Sequence, residues 1–220
     1  MFEILKKKRL KVEISGNPGR GELLRRAESL SSKSFGLLPG KRTILIFGGS
    51  QGSRPINMHI LENLEQYASR QEIQLLWQTG TFDYQEIINQ VGERDNVKIL
   101  PFISDMAGAY SSADIAICRA GALSIAELAS VGLPSLLIPY PHAAEGHQDY
   151  NAKLMEEAGA AIVIKQSELG TGILEKTVFE MLFDEWKLKE MSAAGKKLVQ
   201  KDPTLNIVES LLELLGQTKN

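Results

Sequence analysis

The glycine-rich stretch GGSQG (48–52) directly follows a hydrophobic run and is suited to bind an anion. Its two leading glycines allow a sharp backbone turn, and Ser50 and Gln51 are predicted to lie where a helix begins. Free backbone N–H groups at a helix start attract phosphate. The stretch matches neither G-x-G-x-x-G nor G-x-x-x-x-G-K-[ST], which disfavours NAD and ATP. A tight strand-to-helix connection explains the same glycines equally well.

An acidic residue in a second segment is suited to bind a ribose. The segment RAGALSIAELASVGLP (119–134) follows the apolar run DIAIC, and its small residues let a ligand approach the backbone. Glu127 is the only acid in the helix predicted there, and a carboxylate near a helix start can accept both ribose hydroxyls. Ser124 and Glu127 also fit the S-x-x-E capping box, and these residues taken alone favour that cap.

Amide side chains in the segment PYPHAAEGHQDYNA are suited to bind sugar hydroxyls. Gln148 and Asn151 share one face of a predicted helix, and an amide offers both a donor and an acceptor. A metal site formed by His142, Glu145 and His147 is a competing hypothesis, but their spacing matches no familiar ligand set. Polar residues that simply face water at a helix start are the third interpretation.

Apolar residues in a fourth segment are suited to enclose a flat base. In LPFISDMAGAYSSADI (100–115), Phe102, Ile103 and Met106 are predicted to lie exposed at the end of a strand. The main chain of Ile103 would then read the edge of the base. An apolar staple at the start of a helix near Ser104 is an equally available explanation.

All four segments follow strands of a predicted parallel sheet. Short apolar runs alternate with longer helical patterns, which indicates repeated βαβ units. Runs that are apolar throughout are typical of strands buried on both faces, so the predicted fold is α/β, a doubly wound Rossmann-like parallel sheet. Such sheets bind ligands outside the carboxyl ends of their strands. The predicted strands cover 11–14, 43–48, 73–78, 97–100, 114–118, 135–139 and 160–164, and the predicted helices cover 54–69, 83–91, 104–112, 122–131, 147–158, 167–182, 184–200 and 204–216.

Composition argues against several classes of function. The 220 residues are 43% hydrophobic and 24% charged, which suffices for a sizeable core. The formal net charge of −2 at pH 7 gives no global attraction to nucleic acid, so no nucleic-acid partner is expected. The single cysteine, Cys118, lies in an apolar run, where a small buried hydrophobe is expected rather than a nucleophile.

A set of five motifs runs in order along nearly the whole chain: SGNPGR (15–20), GGSQGSRPIN (48–57), FISDM (102–106), CRAGALSIAELASVGLPSLLIPYP (118–141) and HQDYNA (147–152). Together they resemble the C-terminal half of the MurG family, the bacterial UDP-N-acetylglucosamine–lipid I N-acetylglucosaminyltransferases. The resemblance implies a two-domain glycosyltransferase-B architecture. It assigns residues 1–40 to a remnant of the N-terminal domain with the interdomain linker, and residues 41–220 to the domain that binds the UDP-sugar donor.

The resemblance also implies a binding site for UDP-N-acetylglucosamine (UDP-GlcNAc) across these motifs. Ser50, Gln51 and the neighbouring amides are implied to bind the diphosphate, Ile103 the uracil and Glu127 the ribose hydroxyls. The remaining implied contacts are Gln148 and Asn151 for the GlcNAc, Arg20 at the hinge, and Met106, Ala122 and Leu123 around the pocket.

In this family the N-terminal domain carries the lipid I site and the general base. No catalytic residue is therefore expected in this chain, which is expected to bind UDP-GlcNAc without efficient transfer to lipid I in peptidoglycan synthesis. A partner chain that supplies the N-terminal half is an open alternative. No cofactor and no metal are implied, and the sequence has no Asp-x-Asp pair. The family acts in the cytoplasm, peripherally at the inner face of the cell membrane.

Two other functions stay open at this point. An enzyme similar to UDP-GlcNAc 2-epimerase would share the donor fold, but it needs catalytic acids beyond Glu127, and the sequence shows no convincing set. The second is a non-catalytic module that binds nucleotide sugars and acts with a partner. A product assay would separate the two enzymes from each other and from the module.

Overall fold

Six strands pair in parallel in one sheet, in the order β3-β2-β1-β4-β5-β6. The computed structural model describes residues 35–199 and 203–215. The predicted strand over 11–14 lies outside these residues, and the other six predicted strands are confirmed. The strands are β1 Arg42–Phe47, β2 Ile73–Gln78, β3 Val97–Leu100, β4 Ile115–Cys118, β5 Ser135–Leu137 and β6 Ala161–Val163.

Helices connect the strands and cover both faces of the sheet. Within the described ranges, none of them combines the length and the apolar character needed to cross a lipid bilayer. The α-helices are α1 Arg54–Glu62, α2 Leu64–Ala68, α3 Tyr84–Val91, α4 Met106–Ser112, α5 Ala122–Val131, α6 His147–Glu157, α7 Ile173–Leu182, α8 Glu185–Leu198 and α9 Pro203–Leu214, and short 3-10 helices cover Ala144–Gly146 and Gln166–Thr171.

Side chains of each strand alternate between two hydrophobic cores, one on each face of the sheet. In β1, Ile44 and Ile46 belong to a core shared with α1, α2, α3 and α7. Leu45 and Phe47 belong to the other core, shared with α4, α5 and α6. Burial of each such side chain contributes on the order of 1.5–3 kcal/mol. Consecutive strand positions such as Ile44 to Phe47 are apolar because both faces of the sheet are covered, which confirms the doubly wound fold.

Two predicted helices are interrupted. The helix predicted over 54–69 breaks at Asn63, whose Nδ2 donates to the His59 carbonyl at 2.9 Å and so competes with the helical hydrogen bonds. The helix predicted over 167–182 begins as a 3-10 helix and becomes α-helical only at Ile173. Neither interruption changes the order of the strands.

The chain changes direction within the sheet between β1 and β4. From β1 it moves outward through β2 to β3, and from β4 it moves outward through β5 to β6 on the other side. Since all neighbouring strands are parallel, their carboxyl ends lie along one edge, which we call the carboxyl edge. The crevice outside β1 and β4 is the switch point, where ligands bind in sheets of this kind.

Candidate functional site

The loop between β1 and α1 is a tight turn at the carboxyl edge. The Gly52 N–H donates to the Gly49 carbonyl at 3.0 Å, and the helix begins only at Arg54. The predicted start of this helix at residue 54 is confirmed. Ser50 and Gln51 lie in the turn before the helix, and both are exposed to solvent there.

Main-chain contact holds this turn against the loop that follows β2. A Cβ atom on Gly52 would lie 1.9 Å from the Thr79 carbonyl oxygen, and a Cβ atom on Gly80 would lie 2.0 Å from the Gln51 carbonyl oxygen. Both glycines also have a positive φ, 78° for Gly52 and 80° for Gly80. Only glycine fits at either position, so the shape of the turn is set by backbone atoms of two loops.

A buried amide behind the turn ties α1 to the loop after β2. Asn57 is 1% exposed, and its Nδ2 donates to the Thr79 carbonyl at 2.7 Å and to Asp83 Oδ2 at 2.8 Å. Its Oδ1 accepts from Trp77 Nε1 at 3.0 Å. Arg54 adds an ion pair with the same aspartate at 2.7 Å. The buried polar atoms are thus satisfied, which stabilises the base of the turn.

Gln78, the last residue of β2, connects the loop after β1 with the segment after β3. Its side chain is buried, with 3% of the residue exposed. Nε2 donates to the Gly49 carbonyl at 2.8 Å, and Oε1 accepts from the Ile103 N–H at 2.9 Å. A single amide therefore joins two of the predicted ligand-binding segments, and the sequence reasoning had assigned it no role.

The segment after β3 differs from its prediction. Ile103 was expected to be exposed but is 1% exposed, because it packs into the core, and its N–H is already bound to Gln78. Phe102 is 54% exposed, as expected, while Met106 is half-buried. The following helix begins at Met106, two residues later than predicted, because the Asp105 side chain accepts a hydrogen bond as its N-cap.

Arg119 follows β4 and lies buried at the switch point, with 7% of the residue exposed. Its guanidinium group contacts segments that follow three other strands, β1, β5 and β6. The ring of Tyr140 lies 5.5 Å from the guanidinium carbon. The hydrogen-bond acceptors are Ser53 Oγ for Nε at 3.0 Å, the carbonyls of Ile138 and Pro139 for Nη1 at 3.0 Å each, and Gln166 Oε1 for Nη2.

The partners of Arg119 distinguish it from Arg54 at the start of α1, which pairs with Asp83. Among the described residues, each of its hydrogen-bond acceptors is a neutral oxygen. Burial lowers the pKa of Arg119 below the ordinary arginine value, yet a guanidinium remains protonated at neutral pH. A positive charge with neutral partners attracts an anion to the crevice. The sequence reasoning missed this residue, although its position directly after β4 was a usable signal.

Glu127 lies on α5, and the structure excludes the capping-box interpretation. The helix begins at Ala122 with Gly121 as its N-cap, so Ser124 and Glu127 lie inside it and cannot form the box. Glu127 is 7% exposed, and its Oε2 accepts from the Tyr110 hydroxyl at 2.8 Å. The first turn of the helix exposes Ala122 and Leu123, two of the residues implied by the family resemblance.

Gln148 and Asn151 lie on the first turns of α6 and point back to two strand ends. Gln148 Oε1 accepts from the Tyr140 N–H at 2.9 Å, in the segment after β5. Asn151 Nδ2 donates to the Ala120 carbonyl at 3.0 Å, directly after β4. Both amides are therefore oriented by main-chain groups at the carboxyl edge, which agrees with the prediction that they share one helix face.

The competing metal hypothesis finds no support in the described part of the chain, where no three His, Cys, Asp or Glu side chains are grouped to hold an ion. The His142 ring packs edge-on against Tyr140, with 5.7 Å between ring centres. His147 Nε2 lies 3.7 Å from Glu145 Oε2, and both side chains are exposed. These contacts are ordinary surface interactions.

Cys118 ends β4 directly below the site and is completely buried. Burial raises the pKa of its thiol well above the ordinary value, so the reactive thiolate does not form at neutral pH. The prediction of a buried hydrophobe is confirmed.

Within the described ranges, the predicted site residues lie in the loops or the first two helical turns that follow β1, β3, β4 and β5. Arg20 lies outside these ranges. Hydrogen bonds connect the segments, since Gln78 joins those after β1 and β3, and Arg119 joins those after β1, β4 and β5. The residues gathered there are Ser50 and Gln51 after β1, Ile103 and Met106 after β3, Ala122, Leu123 and Glu127 on α5 after β4, and Gln148 and Asn151 on α6 after β5.

These features define a Rossmann-like α/β domain built on a parallel sheet with a switch point between β1 and β4. Residues 43–204 match the family described as glycosyltransferase family 28 C-terminal domain, and the chain belongs to that family. This match confirms the resemblance inferred from the five motifs and the predicted fold class.

A curated relative from Halothermothrix orenii is 38% identical over 213 residues, and the match covers 92% of this chain and 57% of the relative. That protein is named UDP-N-acetylglucosamine–N-acetylmuramyl-(pentapeptide) pyrophosphoryl-undecaprenol N-acetylglucosamine transferase. This chain thus spans little more than half the length of the curated relatives it matches.

Solved structures agree with this assignment. The crystal structure of Acinetobacter baumannii MurG is 31% identical with a TM-score of 0.70, covering 79% of this chain and 52% of that chain. A UDP-N-acetylglucosamine 2-epimerase is 16% identical with a TM-score of 0.55, covering 94% of this chain and 49% of that one. At that identity the epimerase shares only the fold.

Proposed function

We propose that this chain is the donor-binding half of an inverting hexosyltransferase. It binds UDP-GlcNAc, whose GlcNAc is transferred to lipid I to form lipid II in peptidoglycan synthesis. The membership of family 28 and the activity named for the 38% identical relative support this proposal. The observation that carries it is the set of hydrogen bonds that link the predicted segments. Gln78 links the segments after β1 and β3, and the buried Arg119 links those after β1, β4 and β5.

The diphosphate is proposed to lie at the turn between β1 and α1. Ser50 and Gln51 are exposed there, on a turn whose shape is set by two glycine contacts. Arg119 reaches this loop through its 3.0 Å bond to Ser53 and adds a positive charge. Backbone amides and a fixed cation stabilise the charge that develops on a departing UDP, and they need no rearrangement during the reaction.

The ribose and the base are proposed to bind on the two sides of this turn. Glu127 offers a carboxylate held by the 2.8 Å bond from Tyr110, which suits it to accept hydrogen bonds from two ribose hydroxyls. The uracil is proposed to lie against the segment of Ile103, with Phe102 exposed beside it. Met106 is half-buried at the start of α4 and forms an apolar wall.

The GlcNAc is proposed to bind the two amides of α6. The bond from the Tyr140 N–H to Gln148 Oε1 orients the Nε2 donor of that side chain, and the bond to the Ala120 carbonyl orients the Oδ1 acceptor of Asn151. A donor and an acceptor placed together suit the hydroxyl groups of a sugar. Ala122 and Leu123 on the facing helix complete the pocket.

In an inverting transfer, the acceptor hydroxyl attacks the anomeric carbon and loses its proton to a general base while UDP departs. We propose that residues beyond this chain, in the rest of a longer protein or in a partner chain, supply the base and the lipid I site. This chain alone is then expected to bind the donor without efficient turnover. We propose that the chain acts in the cytoplasm, peripherally at the inner face of the cell membrane, where a lipid-linked acceptor would be met.

Isothermal titration calorimetry of the full chain with UDP, UDP-GlcNAc, UDP-GalNAc and ADP-glucose tests the donor site. Binding of the uridine nucleotides, and no binding of ADP-glucose, is expected. Absence of heat with every uridine nucleotide would contradict the proposal. A transfer assay with lipid I is expected to show little product, and conversion of UDP-GlcNAc to UDP-ManNAc would instead indicate an epimerase.

A further inference from the structure

The side chain of Gln78 extends the hydrogen bonding of the sheet beyond the end of β2. Gln78 is the last paired residue of this strand, opposite Phe47 of β1 and Leu100 of β3. Its Nε2 donates to Gly49, two residues beyond Phe47, and its Oε1 accepts from Ile103, three residues beyond Leu100. The side-chain amide thus donates toward the β1 side and accepts from the β3 side, as the peptide group of one further strand residue would.

These two bonds set the direction of the adjoining peptide groups. The described peptide bonds are all trans, so the carbonyl of one residue and the N–H of the next point in opposite directions. Because the Gly49 carbonyl points to Gln78, the Ser50 N–H points away from it. Because the Ile103 N–H points to Gln78, the Phe102 carbonyl points away. The Gly49 carbonyl also accepts from the Gly52 N–H at 3.0 Å, which fixes it further.

We propose that Gln78 is a positioning residue for the nucleotide. It directs the Ser50 N–H toward the diphosphate and holds the main chain of Ile103 in place to recognise the uracil. The inference rests on the proposed function, because it assigns the two segments to the diphosphate and the base. Gln78 itself is 3% exposed and acts only through these two segments.

Glutamine is specifically suited to this position. The Gly49 carbonyl needs a hydrogen-bond donor and the Ile103 N–H needs an acceptor. One side chain at the end of β2 must supply both. Leucine offers neither group, and an ionised glutamate cannot donate. A change at Gln78 therefore releases the Gly49 carbonyl, the Ile103 N–H or both, and it leaves buried polar groups without partners.

Gln74 on the same strand provides a matched control. It is also 3% exposed, and its Nε2 donates to the Leu38 carbonyl at 3.1 Å and to Thr43 Oγ1 at 2.9 Å. It lies near the amino end of β2, away from the carboxyl edge. Replacement of Gln74 by leucine removes comparable buried hydrogen bonds without touching either segment.

Calorimetric titration of UDP and CDP into the native chain and into Gln78→Leu and Gln74→Leu tests the proposal. Uracil carries an N3–H donor where cytosine carries an acceptor, so the ratio of the two dissociation constants reports the base contact. Gln78→Leu is expected to raise the Kd for UDP about tenfold and to reduce the preference for UDP over CDP. Gln74→Leu is expected to lower thermal stability to a similar degree with both binding quantities unchanged.

Gln78→Glu adds a second measurement, the pH dependence of the affinity for UDP, which a purely structural role of Gln78 would leave unchanged. The introduced carboxyl is buried beside the Gly49 carbonyl, which raises its pKa, and its protonated form again offers one donor and one acceptor. The affinity of this variant for UDP, relative to the native chain in the same buffer, is therefore expected to improve as the pH falls from about 8 to about 6. This series also covers the case in which Gln78→Leu fails to fold.

The outcomes separate this inference from the proposed function. If the native chain does not bind UDP, the proposed function fails and this inference fails with it. If the native chain binds UDP, the inference alone is overturned by either of two results. One is an unchanged Kd and UDP preference in the folded Gln78 variants, and the other is an equal loss in the Gln74 control.

Discussion

The Nε atom of Arg119 donates a hydrogen bond to Ser53 Oγ at 3.0 Å, and this bond joins the segments that follow β1 and β4, the two strands between which the chain changes direction. Ser53 is the N-cap residue of α1, but its side chain caps no amide of that helix. Its oxygen instead orients the guanidinium at the switch point. The same guanidinium binds the carbonyls of Ile138 and Pro139, so three loops are positioned around one charge.

Arg119→Met is expected to weaken the binding of UDP about tenfold, which corresponds to ~1.4 kcal/mol, because the crevice loses its positive charge. The affinity for UDP is also expected to depend less on salt concentration in the variant than in the native chain. Calorimetry at two ionic strengths measures both effects.

Arg42→Met is the control for this prediction. Arg42 lies at the amino end of β1, where it pairs with Asp114 and Glu185 at 2.8 Å each. Its loss is expected to leave UDP binding unchanged. Equal weakening in the two variants would show that a general loss of charge or stability, rather than the position of Arg119, controls affinity.

Glu127→Gln is expected to reduce the discrimination between UDP and 2′-deoxy-UDP, because the amide replaces a charged acceptor of the ribose hydroxyls. The Kd for UDP is expected to rise about tenfold and the Kd for 2′-deoxy-UDP much less. Tyr110→Phe keeps the carboxylate but removes the 2.8 Å bond that orients it, so a smaller change in the same direction is expected. A UDP to 2′-deoxy-UDP ratio that stays at its native value in Glu127→Gln would rule out the ribose contact.

Gly52→Ala and Gly80→Ala are each expected to destabilise the fold by ~2 kcal/mol or more, since the added Cβ meets a carbonyl oxygen at about 2 Å and φ is positive. Urea unfolding measures the change. Gly159→Ala is the control, because its φ is 76° but its Cβ would meet no atom within 4 Å. That variant is expected to lose only ~1 kcal/mol, and an equal loss in all three would show that the contact between loops is unimportant.

Glu175 predicts a pH dependence of stability away from the site. Burial acts to raise its pKa, but hydrogen bonds from His59 at 2.8 Å and from Tyr67 at 3.0 Å outweigh burial, so the pKa lies below the ordinary 4.5. A lowered folded-state pKa adds stability above the unfolded-state pKa, and this stability is lost as the pH falls through the folded-state value. The free energy of unfolding of the native chain is therefore expected to fall more steeply below about pH 5 than that of Glu175→Gln.

Glu180→Gln serves as the control on the same helix, since its carboxylate is 61% exposed and pairs with Lys176 at 3.9 Å. Its pH profile of urea unfolding is expected to follow that of the native chain. Parallel profiles for the native chain and Glu175→Gln would show that the buried cluster does not contribute.

Local sequence pattern was sufficient for the strands and misleading for some helix starts. Within the run over 43–48, residues 44–47 are all apolar because β1 is covered on both faces, and that requirement is visible residue by residue. The S-x-x-E pattern at Ser124 and Glu127 is equally local, yet the helix starts at Ala122, where the chain leaves β4 and turns at Gly121. Where a helix starts here depends on the path of the chain out of the sheet, which the four-residue pattern does not contain.

The sequence by itself determined which residues follow each strand, and in a parallel sheet this was enough to predict that Ser50, Glu127 and Gln148 gather at one edge. Only the tertiary structure decided the roles of Gln78 and Arg119, whose partners lie 25 and 66 residues away in the chain at Ile103 and Ser53. A buried polar side chain must find a hydrogen-bond partner, but which loop supplies it depends on which strands are neighbours. Strand order is a property of the whole packed sheet, so no single segment of the sequence specifies it.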